Sequence, residues 1–286
     1  MTKTFFLGLG GQKCGSTWIQ AYLARQPGSD FGRLGEYQNW EHHLGGVFAR
    51  YRAAEPSLLG KLRARAKTTF GAPEPAAHLR WRLQKDPNQY FDYFAGLLSR
   101  DGITRTGDIT PSYAELPAER LQSIIDGFKT RGITVKLLFS MRDPVDRLRS
   151  QLRMEMEKGR LPESPDNDGP MRAFYATTEA EARSRYDRTL NRIEAVFAPQ
   201  DVFLTPFETL FTADGIAGLS RFANVPVDAQ AGMRAVNSRA KGSGLSEELE
   251  SEIARHYAPV YEATAHRLPQ VREAWPSARF VWPTAA

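Results

Sequence analysis

The sequence predicts an α/β fold in which helices flank a central parallel β-sheet. Three short apolar runs have the length and residue content of buried strands. They are TFFLGL at 4–9, ITVKLLFS at 133–140 and DVFLTPF at 201–207, and ITRTGDIT at 103–110 is a weaker fourth candidate. Helical patterns lie between these runs, and strands that alternate with helices favour a parallel sheet covered on both faces.

Each helix prediction depends on the spacing of apolar residues. Residues 15–25 continue from the first strand as a helix, and VDRLRSQLRMEMEK at 145–158 does the same after the second. A long helical stretch at 178–198 precedes the third strand. From Ser246 onward we expect one or two terminal helices, because a serine followed by glutamates is typical of an acidic helix start.

We expect one domain over 1–286, because no linker is long enough to separate two. A helical, aromatic-rich insertion interrupts the strand–helix pattern at about 41–100, and WRLQKDPNQYFDYFAGLL is its clearest amphipathic part. Residues 159–170 form a polar loop punctuated by proline.

Composition describes an ordinary globular chain, with 41% hydrophobic and 25% charged residues. No apolar stretch reaches the length of a transmembrane helix, and the N-terminal run after Lys3 is too brief for an export signal. The single cysteine, Cys14, excludes an internal disulfide. These features predict a cytoplasmic location.

The net charge of +5 suits an anionic ligand, or simply a basic surface. The sequence contains no recognisable nucleic-acid motif and no internal repeat, so we expect no nucleic-acid partner. The oligomeric state cannot be read from the sequence.

The most informative motif is the loop GGQKCGST that follows the first strand. The nucleotide P-loop reads G-x-x-x-x-G-K-[ST] between a strand and a helix. Gly10 and Gly15 have that separation, but Ser16 stands where the lysine should be, and the nearby lysine is Lys13. Glycines allow close backbone approach to phosphate, and a helix N-terminus offers free N–H donors. We therefore expect a P-loop-like three-layer fold whose loop holds a different anion.

QKCGSTW followed by an amphipathic helix resembles the 5′-phosphosulfate loop of sulfotransferases that use 3′-phosphoadenosine 5′-phosphosulfate (PAPS). The resemblance is to the bacterial type, related to the heparan-sulfate-type enzymes. It implies that the 5′-phosphosulfate is bound by residues of this loop, namely Gln12, Lys13, Cys14, Gly15, Ser16, Thr17 and Trp18. Cys14 is interpreted as a small neutral filler whose backbone N–H binds the anion, although a reactive thiolate is the alternative at a helix start.

SMRDPVDRLRS at 140–150 resembles the 3′-phosphate site of the same family. That site has an arginine at the end of a strand and a serine eight residues later, a spacing that Arg142 and Ser150 match. A guanidinium and a hydroxyl are suitable donors to a phosphate monoester. For Arg147 and Arg149 we expect a solvated helix face.

Two later stretches complete the resemblance. Tyr186 through TPFETL at 205–210 is similar to the substrate-side helix and strand of the family. NSRAKGSG at 237–244 is similar to a basic loop that closes over the nucleotide, with Arg239, Lys241 and Gly242 as candidates. A surface loop is an equally good interpretation of this segment.

LGEYQNWEHHL at 34–44 resembles the family's K-E-x-H-F-F segment, in which the glutamate is the catalytic base. On this alignment Glu36 is the base and Gln38 occupies the histidine position on the substrate side. The family's lysine is replaced here by Gly35, and its aromatic pair by asparagine and tryptophan. A capping or surface role is the alternative for each carboxylate considered.

Asp108, His42 and His43 are rival bases. TGDITPSY at 106–113 resembles the family's E-K-[ST]-P-x-Y, with Asp108 for the glutamate and Ile109 for a lysine used near the sulfate. The missing lysine predicts that Lys13, or cations from elsewhere, supply more of the charge. Another branch of sulfotransferases uses histidine as its base, which makes His42 or His43 the alternative.

The resemblance implies sulfuryl transfer to a hydroxyl or amine acceptor by in-line displacement, with Lys13 at the bridging oxygen and no metal. A small-molecule P-loop kinase and a non-catalytic nucleotide-binding relative are the alternatives, and Ser16 disfavours the kinase. PAPS is the expected co-substrate and 3′,5′-ADP the product. A small molecule or carbohydrate is the expected acceptor, and its identity is open.

Overall fold

The computed structural model describes residues 2–162, 164, 167–233 and 244–283. Four parallel strands form one sheet in the order β2-β1-β3-β4. The strands are β1 (Lys3–Gly8), β2 (Arg105–Ile109), β3 (Ile133–Met141) and β4 (Val202–Pro206). The predicted α/β class is confirmed, and each predicted strand is present within two residues of its predicted bounds.

Helices connect the strands and cover both faces of the sheet. In chain order they are α1 (Ser16–Ala24), α2 (Leu58–Thr69), α3 (Ala76–Lys85), α4 (Pro87–Leu98), α5 (Ala118–Lys129), α6 (Pro144–Glu157), α7 (Asp168–Phe174), α8 (Thr178–Glu181), α9 (Tyr186–Glu194), α10 (Phe207–Leu210), α11 (Ala213–Ala223), α12 (Glu247–His256), α13 (Ala258–Arg267) and α14 (Val271–Ala274). Short 3₁₀ helices occupy Glu41–Leu44, Gly46–Tyr51, Pro111–Glu115, Pro199–Asp201, Ala231–Met233 and Pro276–Phe280. The expected terminal helices are present, and Ser246 caps α12 by accepting from the N–H of Leu249 at 3.3 Å.

Alternate residues of β1 face opposite sides of the sheet, as the pleat requires. Phe5 belongs to a buried cluster with α4 and α5, and its ring lies 4.0 Å from that of Phe128. Phe6 belongs to a second cluster with α1 and α11 on the other face. The core is therefore divided into two parts by the sheet, which gives the expected three layers.

The prediction of a single helix at 178–198 is wrong. Two helices, α8 and α9, occupy this stretch. Ser184 donates from Oγ to the Ala180 carbonyl at 2.7 Å, and the Tyr186 N–H donates to the Ser184 carbonyl at 2.8 Å. This local bonding replaces the helical pattern and allows the chain to turn between the helices.

The sheet topology indicates where a ligand binds. From β1 the chain crosses to β2 on one side, and from β3 it crosses to β4 on the other. The boundary between β1 and β3 is therefore a topological switch point, and open α/β sheets bind ligands outside the carboxyl ends of their strands at such points. Within the described ranges, no helix combines the length and apolarity needed to cross a lipid bilayer.

Candidate active site

The glycine loop, residues 9–15, joins the carboxyl end of β1 to the N-terminus of α1. It is bonded to the neighbouring strand, because the N–H of Leu9 donates to the Leu138 carbonyl and the N–H of Gly11 to the Ser140 carbonyl, each at 3.0 Å. A side chain at Gly11 would lie 2.6 Å from the Cys14 sulfur. Close packing against β3 thus fixes the loop directly above the switch point.

Two residues of the glycine loop have left-handed backbone conformations. Gly15 has φ of 88°, and a β-carbon there would lie 2.9 Å from a Leu210 methyl group. Lys13 has φ of 71°, which is unusual for a residue with a side chain. Such strain costs of order 1–3 kcal/mol and is concentrated at functional sites. The conformation of Lys13 is therefore one that the surrounding loop imposes.

The first turn of α1 follows immediately. Ser16 is buried and Thr17 exposed, and N–H groups at a helix start have no partner within the helix. Half-buried Gln12 has a buried Oε1 for which the described residues supply no donor. Trp18 is buried, stacks on Tyr22 and donates from Nε1 to the Ala231 carbonyl at 3.3 Å. Trp18 therefore packs against the protein, while the rest of the turn has N–H groups without partners in the helix.

Cys14 lies inside the protein, with no exposed surface. Burial raises the pKa of its thiol to about 11, so the thiol is neutral at physiological pH. Its backbone N–H donates to the Gly11 carbonyl at 3.0 Å. We expected this N–H to bind the anion, but in the structure it closes the loop through its bond to Gly11. The expected small, neutral side chain is present.

Tyr186 is placed differently from the substrate-side position that the resemblance implies. It is buried beneath the glycine loop, with its hydroxyl 3.4 Å from the Cys14 sulfur. Its ring packs edge-on against Phe139 of β3, and a β-carbon at Gly11 would approach that ring to 3.3 Å. Tyr186 therefore supports the loop from below rather than lining an open pocket.

Arg142 follows β3 and precedes α6, so it lies at the carboxyl end of the strand next to β1. Its guanidinium is 4.7 Å from the centre of the Phe207 ring, and Nη2 is 3.5 Å from Asp146. Its Nε is buried without an acceptor among the described residues. Ser150 is half-buried on α6. Arg142 therefore retains donor capacity beside the glycine loop.

A buried polar network holds the turn that contains Arg142. Asp143 accepts from the N–H of Val145 at 2.9 Å, from the Tyr261 hydroxyl at 2.7 Å and from the N–H of Ser277 at 2.7 Å. Glu208 accepts from the N–H of Asp143 at 3.1 Å. Burial raises the pKa of Glu208 to about 7. Because these bonds join α6 to the C-terminal region and to α10, the direction of the Arg142 backbone is fixed.

The prediction of a solvated helix face is wrong for Arg147. Arg147 has no exposed surface, and it donates to Gln151 Oε1 at 2.7 Å. Burial lowers the pKa of its guanidinium. Arg149, by contrast, is partly exposed and pairs with Asp146 at 3.2 Å and Glu250 at 3.5 Å. Only the second arginine is on the solvent side of α6.

Glu36 is half-buried on the segment that follows α1. Gln38 has a left-handed backbone and donates from Nε2 to Glu36 Oε2 at 3.3 Å. Arg80 of α3 donates to the Glu36 carbonyl at 3.0 Å and thereby holds the segment. Burial, and secondarily Asp108, raise the pKa of the Glu36 carboxyl. A carboxylate with a raised pKa is a better proton acceptor, as a general base requires.

Asp108 is at the end of β2 and is fully buried. Its carboxylate accepts from the hydroxyls of Thr110 at 2.6 Å, Tyr113 at 2.7 Å and Tyr90 at 3.0 Å. The N–H of Tyr37 approaches it at 3.4 Å. Burial raises the pKa of Asp108 despite these bonds. With both oxygens enclosed, Asp108 orients the segment that contains Glu36.

The adjacent histidines differ in exposure. His42 is buried and His43 exposed. Burial, followed by His43, lowers the pKa of His42 to about 4, so His42 is neutral at physiological pH. Partial desolvation, followed by the charge of Arg120, also lowers the pKa of His43, although this residue is exposed. Neighbouring Glu41 is a buried acid that the sequence reasoning did not single out. It accepts from Ser112 Oγ at 2.6 Å, and burial raises its pKa to about 7.

Arg183 is a second functional candidate that the sequence reasoning missed. Its side chain is buried, and it donates to the Tyr51 hydroxyl at 3.0 Å. Its Nε has no acceptor among the described residues. The charge of Arg183 lowers the pKa of Glu36 and therefore acts on that carboxylate. No sequence signal marks it, because it lies in a short turn between two helices.

The predicted Arg239, Lys241 and Gly242 lie outside the described residues. For the rest, the switch point brings together the glycine loop and Arg142. The segment that contains Glu36 is bonded to Asp108 through the Tyr37 N–H, and the charge of Arg183 lowers the pKa of Glu36.

Solved structures that match this fold include three sulfotransferases. The sulfotransferase of Alicyclobacillus acidocaldarius matches at a TM-score of 0.60 with 17% identity, over 94% of this chain and 96% of that one. A sulfotransferase domain of the curacin biosynthetic pathway matches at 0.50 with 16% identity, over 94% and 98%. The sulfotransferase domain of the olefin synthase of Synechococcus PCC 7002 also matches at 0.50 with 16% identity, over 90% and 94%.

No protein-family model and no curated protein matches the chain. At such low identities the structural likeness establishes the fold alone. The protein thus has the α/β fold of bacterial sulfotransferases, and its activity must be argued from the site.

Proposed function

We propose that the protein is a sulfotransferase that moves a sulfuryl group from PAPS to a hydroxyl or amine acceptor. One observation carries the proposal: the glycine loop and Arg142 follow neighbouring parallel strands, and the Gly11 N–H donates to the Ser140 carbonyl between them. An anion-binding loop and a second cation therefore lie side by side. A nucleotide with phosphates at both its 5′ and 3′ positions requires such a pair.

The residues present fit such a donor. The first turn of α1 offers N–H groups to the 5′-phosphosulfate, and the side-chain amide of Gln12 in the preceding loop would add its own N–H donors. Arg142 would hold the 3′-phosphate, because its buried Nε has no acceptor among the described residues. Ser150 would add a hydroxyl from α6. Without a lysine at position 16, the loop is poorly suited to the β- and γ-phosphates of a nucleoside triphosphate.

In the proposed reaction an acceptor oxygen or nitrogen attacks sulfur, and the bond between sulfur and the bridging oxygen breaks. Negative charge develops on that oxygen, and 3′,5′-ADP leaves with the bonding electrons. Lys13 would neutralise this charge, because it is the lysine of the glycine loop that would hold the 5′-phosphosulfate. Positioning and charge neutralisation supply most of the catalysis in the analogous phosphoryl transfer.

Glu36 would accept the proton that the acceptor loses on attack. Its raised pKa suits this role, and Asp108 would keep the segment in place through the Tyr37 N–H. Arg183 would supply positive charge that the family's lysine provides at the position of Ile109. His42 remains the alternative base, and its low pKa of about 4 makes it a weaker proton acceptor.

A transfer assay tests the proposal directly. The protein is incubated with PAPS labelled in its sulfuryl group and with pools of small alcohols, amines and sugars. We expect labelled product with the wild-type chain and none with Lys13→Ala. A chain that binds 3′,5′-ADP and labels no acceptor would be the non-catalytic relative, whereas phosphorylation of the same pools from ATP would identify a kinase. The acceptor class and the cytoplasmic location stay predictions.

A further inference from the structure

Helix α2 presents its large apolar side chains to solvent. Leu58, Leu59 and Leu62 are each at least 57% exposed, and Phe70, just after the helix, is 90% exposed. The three leucines share one helix face, because Leu62 lies four and three positions after Leu58 and Leu59. Phe70 follows on that side about two turns further along, and the four residues are called the apolar stripe below. The helix buries no residue at all. Several large apolar side chains exposed on one helix face differ from the single exposed apolar residues of ordinary surfaces.

The side of α2 that faces the protein is the small or polar one. The half-buried residues of the helix are Gly60, Lys61 and Ala64, which are at the opposite side of the helix from Leu62. Lys61 packs over the Trp81 ring of α3 at 4.6 Å and pairs with Glu55 at 2.6 Å. A helix stabilised by the core of its own chain would turn its leucines inward. The apolar stripe of α2 is therefore directed away from the core.

Basic side chains border this stripe. Arg63 and Lys67 lie on one side of the leucines and Arg65 on the other. No acidic residue occurs between Glu55 and Glu74. Among the described residues, no acid forms an ion pair with these three cations. The apolar stripe and its basic borders are together called the α2 face below.

We propose that the α2 face binds the surface of an anionic lipid bilayer. A helix that lies in a membrane interface has leucine and phenylalanine on one side, with lysine and arginine beside them. The apolar side chains enter the acyl boundary, while long cations reach back to the headgroup phosphates. This inference is independent of the proposed sulfuryl transfer.

Other occupants fit less well. A second copy of the chain, docked by two-fold symmetry, would bring one α2 face against another and so place six cations, three from each copy, in one interface. No acid of residues 56–73 would offset their charge. A protein partner would need a groove, because the leucines project from a convex helix that buries nothing. A flat anionic surface needs neither a groove nor an exact fit.

Vesicle co-sedimentation of the full chain tests the proposal. We expect binding to vesicles of phosphatidylglycerol with phosphatidylcholine, little binding to phosphatidylcholine alone, and weaker binding as salt increases. Arg63→Gln with Lys67→Gln should weaken partitioning roughly 30-fold, at about fivefold for each cation. Leu59→Gln with Leu62→Gln should weaken it on the order of tenfold or more. All four residues are exposed, so the fold should be retained.

The matched control removes the same charge elsewhere. Lys129→Gln with Arg255→Gln changes two exposed cations outside the α2 face and should leave partitioning nearly unchanged. Three results would overturn the proposal: no binding to anionic vesicles, an equal loss in this control, or binding that survives removal of Leu59 and Leu62. A dimer dispersed by the leucine changes, without vesicle binding, would identify a second copy as the occupant instead.

A label provides a second readout. Cys14 is the only cysteine and is fully buried, so a dye can be attached selectively to Phe70→Cys. An environment-sensitive dye there should shift to the blue with anionic vesicles and stay unchanged with phosphatidylcholine. An unchanged spectrum with both vesicle types would place residue 70 outside the lipid and contradict the proposal.

Discussion

Arg142→Ala should weaken the binding of 3′,5′-ADP far more than that of adenosine 5′-monophosphate. The Nε of Arg142 has no acceptor among the described residues, and its contact with Asp146 is long, at 3.5 Å. A bound 3′-phosphate would therefore form charge-assisted bonds that no residue already satisfies. Such bonds contribute about 1.5–3 kcal/mol, which corresponds to roughly 10- to 150-fold in affinity.

Calorimetric titration of both nucleotides against both proteins measures this difference. Adenosine 5′-monophosphate lacks the 3′-phosphate, so its affinity should change little in the variant. Arg149→Ala is the matched control, because that arginine lies seven residues later, on α6, and already pairs with Asp146 and Glu250. The assignment of Arg142 to the 3′-phosphate would be refuted if Arg142→Ala lowered the affinity for both nucleotides equally. It would also be refuted if Arg149→Ala lowered the affinity for 3′,5′-ADP as much as Arg142→Ala does.

Three further changes test other parts of the site. Glu36→Gln should lower turnover about 10²–10⁴-fold without changing affinity for 3′,5′-ADP, and full turnover would exclude this base. Because burial raises the pKa of Glu36, wild-type turnover should decline on acidification at a higher pH than an exposed glutamate would set. Cys14→Ala should keep nucleotide binding, and the wild-type thiol, with its pKa raised to about 11 by burial, should be labelled only in denaturant. Rapid labelling of the native chain would contradict this. Burial raises the pKa of Glu41 from 4.5 to about 7, so folding favours its protonated form. Glu41 should therefore lower the free energy of unfolding by on the order of 3 kcal/mol as pH rises through that window. Glu41→Gln should remove this share of the pH dependence in melts at several pH values and leave the share of Glu208, whose pKa burial also raises to about 7, whereas exposed Glu119→Gln should leave both shares in place.

The sequence was sufficient for the sheet and for the loop at its edge. Apolar runs such as 133–140 are strands because both faces of the sheet are covered. Gly15 follows from local chemistry, since its left-handed conformation and the close Leu210 methyl group exclude a side chain. The glycine loop and the Arg142 motif lie at one edge of the sheet because strands β1 and β3 are neighbours. The order of the strands in the chain did not establish that they are neighbours in the sheet.

Features that depend on distant contacts were not predictable. Arg147 has the spacing of a surface residue, yet helices packed over α6 enclose it. Tyr186 aligns with a substrate-side segment, but the turn before α9 places it under the glycine loop. Asp108 is enclosed by Tyr90 and Tyr113, which come from separate elements. Apolar periodicity likewise predicts that a helix has an apolar face, but it does not say whether that face packs against the core. The leucines of α2 face outward.

The most direct test of the central claim is a calorimetric titration of the wild-type chain with 3′,5′-ADP in the absence of metal, alongside one with ATP and magnesium. The proposed donor site predicts saturable, magnesium-independent binding of 3′,5′-ADP that is weakened by Lys13→Ala, and much weaker binding of ATP. Tight binding of ATP with magnesium, together with no heat from 3′,5′-ADP, would contradict the account.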